Sequence, residues 1–190
     1  MVKDNSLSFT TDTMGVFALL DNLKKMRLSD AVESVAPKFD GNQTVKIIRC
    51  IYHGYGIGLI NLGYDGTTYS VIDGSKRLSL LRDLYSRKTF DDLYYTPKHD
   101  AFTFGRFYAN DYSVPVNDIV NTFSLLGTLD ALKADENISD EDKQEFSLML
   151  QRVNSMFHGL SVVVNIYNTT FCSKTVLENV KRWSEDIWGI

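Results

Sequence analysis

The chain has 190 residues and a formal net charge of −4, from 20 Lys and Arg against 24 Asp and Glu. Two cysteines exclude a disulfide-built scaffold, and a 44 % hydrophobic, 12 % aromatic composition excludes a disordered chain. An acidic total leaves room for an anionic partner only where positive charge is locally concentrated.

The first residues, MVKDNSLSFTTDT, are polar and carry no apolar stretch of the kind a secretory leader needs. No run approaches the roughly 18 apolar residues of a membrane-spanning helix. Cys50 and Cys172 stand in no C-x-x-C pair and read as reduced thiols, so a cytoplasmic protein without membrane contact is expected. Met14, Phe17, Leu20 and Leu23 recur at helical spacing and predict a helix over about 13–26. A short helix over 28–35 should stop before Pro37, because the residue before a proline avoids the α region. Residues 1–36 thus read as a helical segment ahead of a domain at 37–190, the whole forming one globular unit.

From Gly41, the residues Val45, Ile48, Ile51 and Tyr52 make one face of a helix ending at Gly54, a suitable left-handed stop. Residues 57–62 are strand-like, Asp65-Gly66 is a hairpin turn, and 68–72 return as the second strand. Asp73-Gly74 breaks that strand, and Ser75 is placed to cap a helix with Leu78, Leu81, Leu84 and Tyr85 on its apolar face. The stretch 88–116 is dense in aromatics (Phe90, Tyr94, Tyr95, Phe102, Phe104, Phe107, Tyr108, Tyr112) and predicts short strands and loops packed on the sheet. These rings read as core packing, with a base-stacking platform as the alternative that their chemistry also allows.

Ile119, Phe123, Leu126 and Leu129 predict a helix running to about 133. Another starts at Ser139, with Asp140, Glu141 and Asp142 at the positive end of its dipole as a solvated start and not a metal site. Residues 161–167 form a valine-rich strand, and a last helix over 174–188 carries Trp183 and Trp188. Strands and helices mix without regular alternation, which predicts an α+β fold with a small mixed sheet and packed helices.

The strand–turn–helix at 71–78 carries the most chemistry. Gly74 permits a tight turn and close approach, and the first amides of the following helix lack intrahelical acceptors. Ser75 adds a hydroxyl, Lys76 a point charge and Arg77 a planar fork, which makes Gly74, Ser75, Lys76 and Arg77 a candidate phosphate or nucleotide site. Asp73 can orient Arg77, accept a ribose hydroxyl or share Mg²⁺ with phosphate oxygens. The same residues also fit a plain Asp-Gly turn, a serine cap and a solvated basic helix face. Between 41 and 90, seven Lys and Arg stand against Asp65, Asp73 and Asp83, so this stretch is +4 within a −4 chain. Lys46, Arg49 and Arg82 are its candidates for facing nucleic acid. His53, His99 and His158 are isolated, and no metal-ligand or nucleophile motif includes them.

Three segments together resemble the ParB/sulfiredoxin-like domain, in the branch forming the N-terminal half of GmrSD-type, modification-dependent restriction enzymes. They are residues 39–45; residues 47–58 with Gly54-Tyr55-Gly56-Ile57-Gly58; and residues 69–78 with Asp73-Gly74-Ser75-Lys76-Arg77-Leu78. The order of later elements is also similar, from Val114-Pro115-Val116 to the strand near Tyr167, so the likeness spans about 37–183 and is specific over 47–85. It implies a ParB/sulfiredoxin-like fold and nucleotide binding. In some members it also implies NTP hydrolysis coupled to a separate nuclease domain, with recognition of modified DNA.

The carried-over positions are Asp73, Gly74 and Arg77, with Asp73 and Arg77 the catalytic pair of any Mg²⁺-dependent phosphohydrolase or nuclease activity. Ser75 and Lys76 stand where the family has two Gln, the family's upstream Gln-Arg-Pro falls at Val35-Ala36-Pro37 without its arginine, and Asn179 is the nearest match to its late Asn. Three roles follow: a nucleotide-binding domain of a restriction or phage–host defence system, with Mg²⁺ accompanying the nucleotide; a stand-alone nucleic-acid-binding protein or small nuclease; or a phage or mobile-element inhibitor that contacts an effector or host defence complex. No His-Asn-His nuclease pattern occurs, so a stand-alone domain is expected.

Overall fold

The computed structural model describes residues 9–25, 40–67, 69–85, 92–108, 110–170, 178–180 and 182. Its elements run β1 (Phe9–Gly15), α1 (Val16–Lys25), α2 (Gly41–Tyr52), β2 (Ile60–Tyr64), β3 (Tyr69–Asp73), α3 (Ser75–Tyr85), β4 (Leu93–Thr96), a 3₁₀ turn at Pro97–His99, β5 (Ala101–Phe104), β6 (Val114–Pro115), α4 (Val116–Val120), α5 (Thr122–Ala134), α6 (Asp140–His158) and β7 (Ser161–Asn168). The fold is α+β with two small sheets. No helix among the described residues is long and apolar enough to cross a membrane. The expected helix at 28–35, Cys172, and most of the expected helix at 174–188 lie outside the described residues; 178–180 and 182 are helical.

The chain forms two compact units. The first holds β1, α1, β2, β3, the start of α3 and β7. Its sheet has the order β1-β7-β2-β3, with β7 antiparallel to β1 and parallel to β2, and β2 antiparallel to β3. The β2–β3 hairpin forms where Asp65-Gly66 predicts it. The Asp65 carboxylate accepts from the Thr67 amide and hydroxyl, both at 2.8 Å, and Gly66 takes φ +98°. Register pairs Ile60 with Val164 and Leu62 with Ile166, so the aliphatic side chains collect on one face. Val162, Val164, Ile60 and Leu62 are buried there, each worth about 1.5–3 kcal/mol when fully removed from water.

The helix expected over 13–26 begins only at Val16, and the residues before it form an edge strand. Phe9–Gly15 pairs along its whole length with β7, from Phe9↔Tyr167 to Gly15↔Ser161. Threonine-rich, mostly exposed sequence suits that pleated edge, and a long-range partner decides what local periodicity cannot. Met14 therefore belongs to the strand. Val16 and Leu19 of α1 are fully buried, while Phe17 is exposed.

The second unit holds α2, the rest of α3, β4 to β6, and α4 to α6. Its helices start as their sequences dictate. Asp40 and Gln43 form a reciprocal capping box on α2, and the Ser139 hydroxyl accepts from the Asp142 amide at 3.1 Å on α6. Gly54, at φ +76°, follows the end of α2 as expected. The aromatic middle makes short strands, but these build their own antiparallel sheet, β5-β4-β6, and do not join the first one. Tyr95 and Phe102 face each other across β4 and β5 with ring centroids 4.8 Å apart, and Tyr52 of α2 closes the cluster at 5.5 Å from Phe102. All three are buried, so these rings are core; Phe104 and Phe107 are exposed.

Candidate functional site

β3 ends at Asp73 and α3 begins at Ser75, so one residue turns the chain. Gly74 has φ +95°, and a Cβ there would collide with Cδ1 of Ile60, so only glycine fits without strain. The Gly74 carbonyl accepts from the Leu78 amide at 2.9 Å, the first intrahelical bond. The cap position is therefore Gly74, and Ser75, expected as the cap, is the first helical residue. Ser75 and Lys76 lie partly exposed in the first turn, where amides point along the positive end of the helix.

Arg77 turns back beneath this bend. Its Nη2 donates to Asp73 Oδ2 at 2.7 Å and its Nη1 to the Ile57 carbonyl at 3.2 Å. The residue is only 4 % exposed. Burial lowers the guanidinium pKa, and the neighbouring Asp73 carboxylate opposes that shift. Removing one partner of such a buried pair costs about 3–5 kcal/mol, because the other charge is left uncompensated. Arg77 and Asp73 thus tie the glycine bend to the approach to β2.

A bulge aims Asp73. The β2–β3 register runs Tyr64↔Tyr69, Gly63↔Ser70 and Leu62↔Val71, then slips to Asn61↔Asp73. Ile72 is the extra residue, and bulges of this kind re-aim the side chain that follows. Asp73 then continues a polar row across all four strands, in which Thr11 pairs with Asn165 and Asn165 with Asn61. Thr11 Oγ1 donates to Asn165 Oδ1 at 2.7 Å, and Asn165 Nδ2 donates to Asn61 Oδ1 over a longer 3.4 Å. Sequence reasoning passed over Thr11, Asn61 and Asn165. The available signal was an asparagine inside each of two aliphatic strands, where that residue is depleted.

The junction residues Asp73, Gly74, Ser75, Lys76 and Arg77 come together in the first unit. The expected nucleic-acid-facing residues Lys46, Arg49 and Arg82 belong to the second. Lys46 and Arg49 are exposed on α2, and Arg82 is ion-paired with Asp83 at 3.1 Å. Arg87 and Lys88 lie outside the described residues.

Among the described residues no group of three His, Cys, Asp or Glu could hold a metal ion. At the junction, Asp73 Oδ2 accepts from Arg77 Nη2. The histidines are absorbed locally. His99 Nε2 lies 2.8 Å from Asp111 Oδ2 and stacks on Tyr108, His158 Nε2 lies 2.9 Å from the Val120 carbonyl, and the His53 ring sits between those of Tyr52 and Tyr55. Neither a protein-family model nor a curated protein matches the chain.

Proposed function

We propose that the chain is a ParB/sulfiredoxin-like domain that binds a nucleotide by its phosphates at the Asp73–Arg77 junction, in the service of DNA restriction or phage–host defence. The observation that carries this reading is the single-glycine bend, held by the pairing of buried Arg77 with part-buried Asp73, which presents the first turn of α3. In this reading Gly74 lets a phosphate come close, Ser75 supplies hydroxyl and amide donors, and Lys76 supplies the point charge. Arg77 holds the bend and adds positive potential from beneath. Hydrolysis by Asp73 and Arg77 would require their ion pair to part, so the chemistry supported is binding more than turnover.

A panel of nucleoside triphosphates with Mg²⁺, read by thermal shift, tests it. Ligand at a hundred times its Kd stabilises by about 2.7 kcal/mol, enough to raise Tm by several degrees. One nucleotide class is expected to do so, and Lys76→Ala to reduce the stabilisation to about half at the same ligand concentration. A flat response to the whole panel overturns the reading.

A second reading, contact with a protein effector or host defence complex, is favoured by α5. Leu125 and Leu132 are buried, yet Phe123 is 81 % and Leu126 56 % exposed on the same helix. Binding to a purified complex that is lost in Phe123→Asp and kept in Lys76→Ala would favour it over the nucleotide.

A further inference from the structure

The face of the four-stranded sheet that carries Asp73 also carries polar groups for which the phosphate reading has no use. Thr11, Asn165 and Asn61 stand in register on β1, β7 and β2, with Asp73 next on β3. Three inter-strand steps of about 4.8 Å give the row a length of about 14 Å, the reach of a nucleoside and not of a phosphate ion. Asn61 is 3 % exposed and Asn165 8 %. The hydrogen bonds run one way along the row: Thr11 donates to Asn165, and Asn165 donates to the carboxamide oxygen of Asn61. Among the described residues Asn165 is the only partner of the Asn61 carboxamide, and it engages the oxygen. The amide nitrogen is therefore the donor left at the Asp73 end of the row.

Buried polar groups are ordinarily satisfied, and a row needed only to fix strand register would be served by matched β-branched side chains. Carboxamides and a hydroxyl are neutral groups that both donate and accept. They discriminate sugar hydroxyls and base edges and have little preference for a bare anion.

We propose that Asn61 and Asn165 form the nucleoside-reading half of the site, contacting the sugar and base of a nucleotide whose phosphates lie on the first turn of α3. The inference rests on the nucleotide-binding reading above and adds selectivity to it.

Calorimetric titration of the full chain with the four ribonucleoside triphosphates and with inorganic tripolyphosphate, all with Mg²⁺, separates the two ideas. The wild type is expected to bind one nucleotide at least about tenfold more tightly than tripolyphosphate, the scale of one lost buried contact. Asn61→Ala should bring the two ligands within about twofold while leaving tripolyphosphate affinity unchanged. Lys76→Ala should weaken both together. Wild-type binding of tripolyphosphate as tight as that of every nucleotide, or discrimination that survives Asn61→Ala, overturns this inference and leaves the phosphate site standing. Failure of every ligand to bind overturns both. If Asn61→Ala does not fold, the side-chain amide resonances of Asn61 and Asn165 in the wild type decide: they should move with the preferred nucleotide and not with tripolyphosphate, and resonances that stay still overturn the inference.

Discussion

Arg77 and Asp73 face each other across a single-glycine bend, guanidinium to carboxylate at 2.7 Å, with their side chains 5 % and 16 % exposed. Arg77→Ala should cost about 3–5 kcal/mol, because it strands the Asp73 charge and leaves the Ile57 carbonyl without its donor. Lysine cannot reproduce the fork, so Arg77→Lys should recover little of this. The double variant Arg77→Met, Asp73→Leu should be far closer to wild type than either single change. Urea midpoints measure each of these variants. A single variant within about 0.5 kcal/mol of wild type, the range of ordinary surface changes, would show that the pair does not hold the bend.

Gly74 is tested separately from that pair. Gly74→Ala meets two obstacles, a left-handed backbone at φ +95° and the Cδ1 of Ile60. The backbone term alone is about 1–3 kcal/mol. Adding Ile60→Val removes the colliding methyl, so the double variant should regain part of the lost Tm but not all of it. Full recovery would mean that the backbone is unstrained.

Two pH limits follow from groups in the second unit. Hydrogen bonds from Lys98 and His99 hold the Asp111 carboxyl below its ordinary 3.8, so its contribution to stability is present above that value and lost as pH falls through the lower folded-state value. Burial, and then its bond to Asp100, push the Tyr95 phenol above its ordinary 10.0, so its contribution is complete below that pH and is lost as pH rises beyond it. Tm against pH should therefore fall at both ends. Asp111→Asn should flatten the acid limb and Tyr95→Phe the alkaline limb. Unchanged limbs in these variants would remove both assignments.

What could be read from the chain beforehand was whatever local chemistry determines. The Asp65-Gly66 hairpin, the glycine stop after α2, the serine start of α6 and the valine strand at β7 all stand where short-range signals put them. β1 was hidden because its residues are mostly exposed and its order comes from β7, some 150 residues away in sequence, as in the bond from Thr11 to Asn165. The second sheet was hidden because aromatic density says that rings will be buried, not which strands they will pair. Among the junction residues the turn was legible, and so was the option of Asp73 orienting Arg77, but the burial of Arg77 was not. A basic side chain in the first turn of a helix also reads as an outward ligand, and only the fold brings the Ile57 carbonyl beneath it. The asparagine row needed strand register as well as composition.

Surface chemistry at the first turn of α3 offers a gentler probe than the buried pair. Ser75→Ala and Lys76→Ala alter partly exposed side chains, and both should leave the urea midpoint within about 0.5 kcal/mol of wild type. Lys76→Ala should nevertheless weaken a phosphate ligand by roughly tenfold, since a charge-assisted bond to phosphate contributes about 1.5–3 kcal/mol. Equal affinity in wild type and Lys76→Ala would take Lys76 out of the site.

The most direct measurement is a backbone-amide NMR titration of the full chain with a nucleoside triphosphate and Mg²⁺. The account requires the amides of Ser75, Lys76 and Arg77 to shift first and most, in proportion to occupancy, while those of Lys46 and Arg49 on α2 stay in place. Shifts confined to α2 or α5, or none at millimolar ligand, would contradict phosphate binding at the Asp73–Arg77 junction.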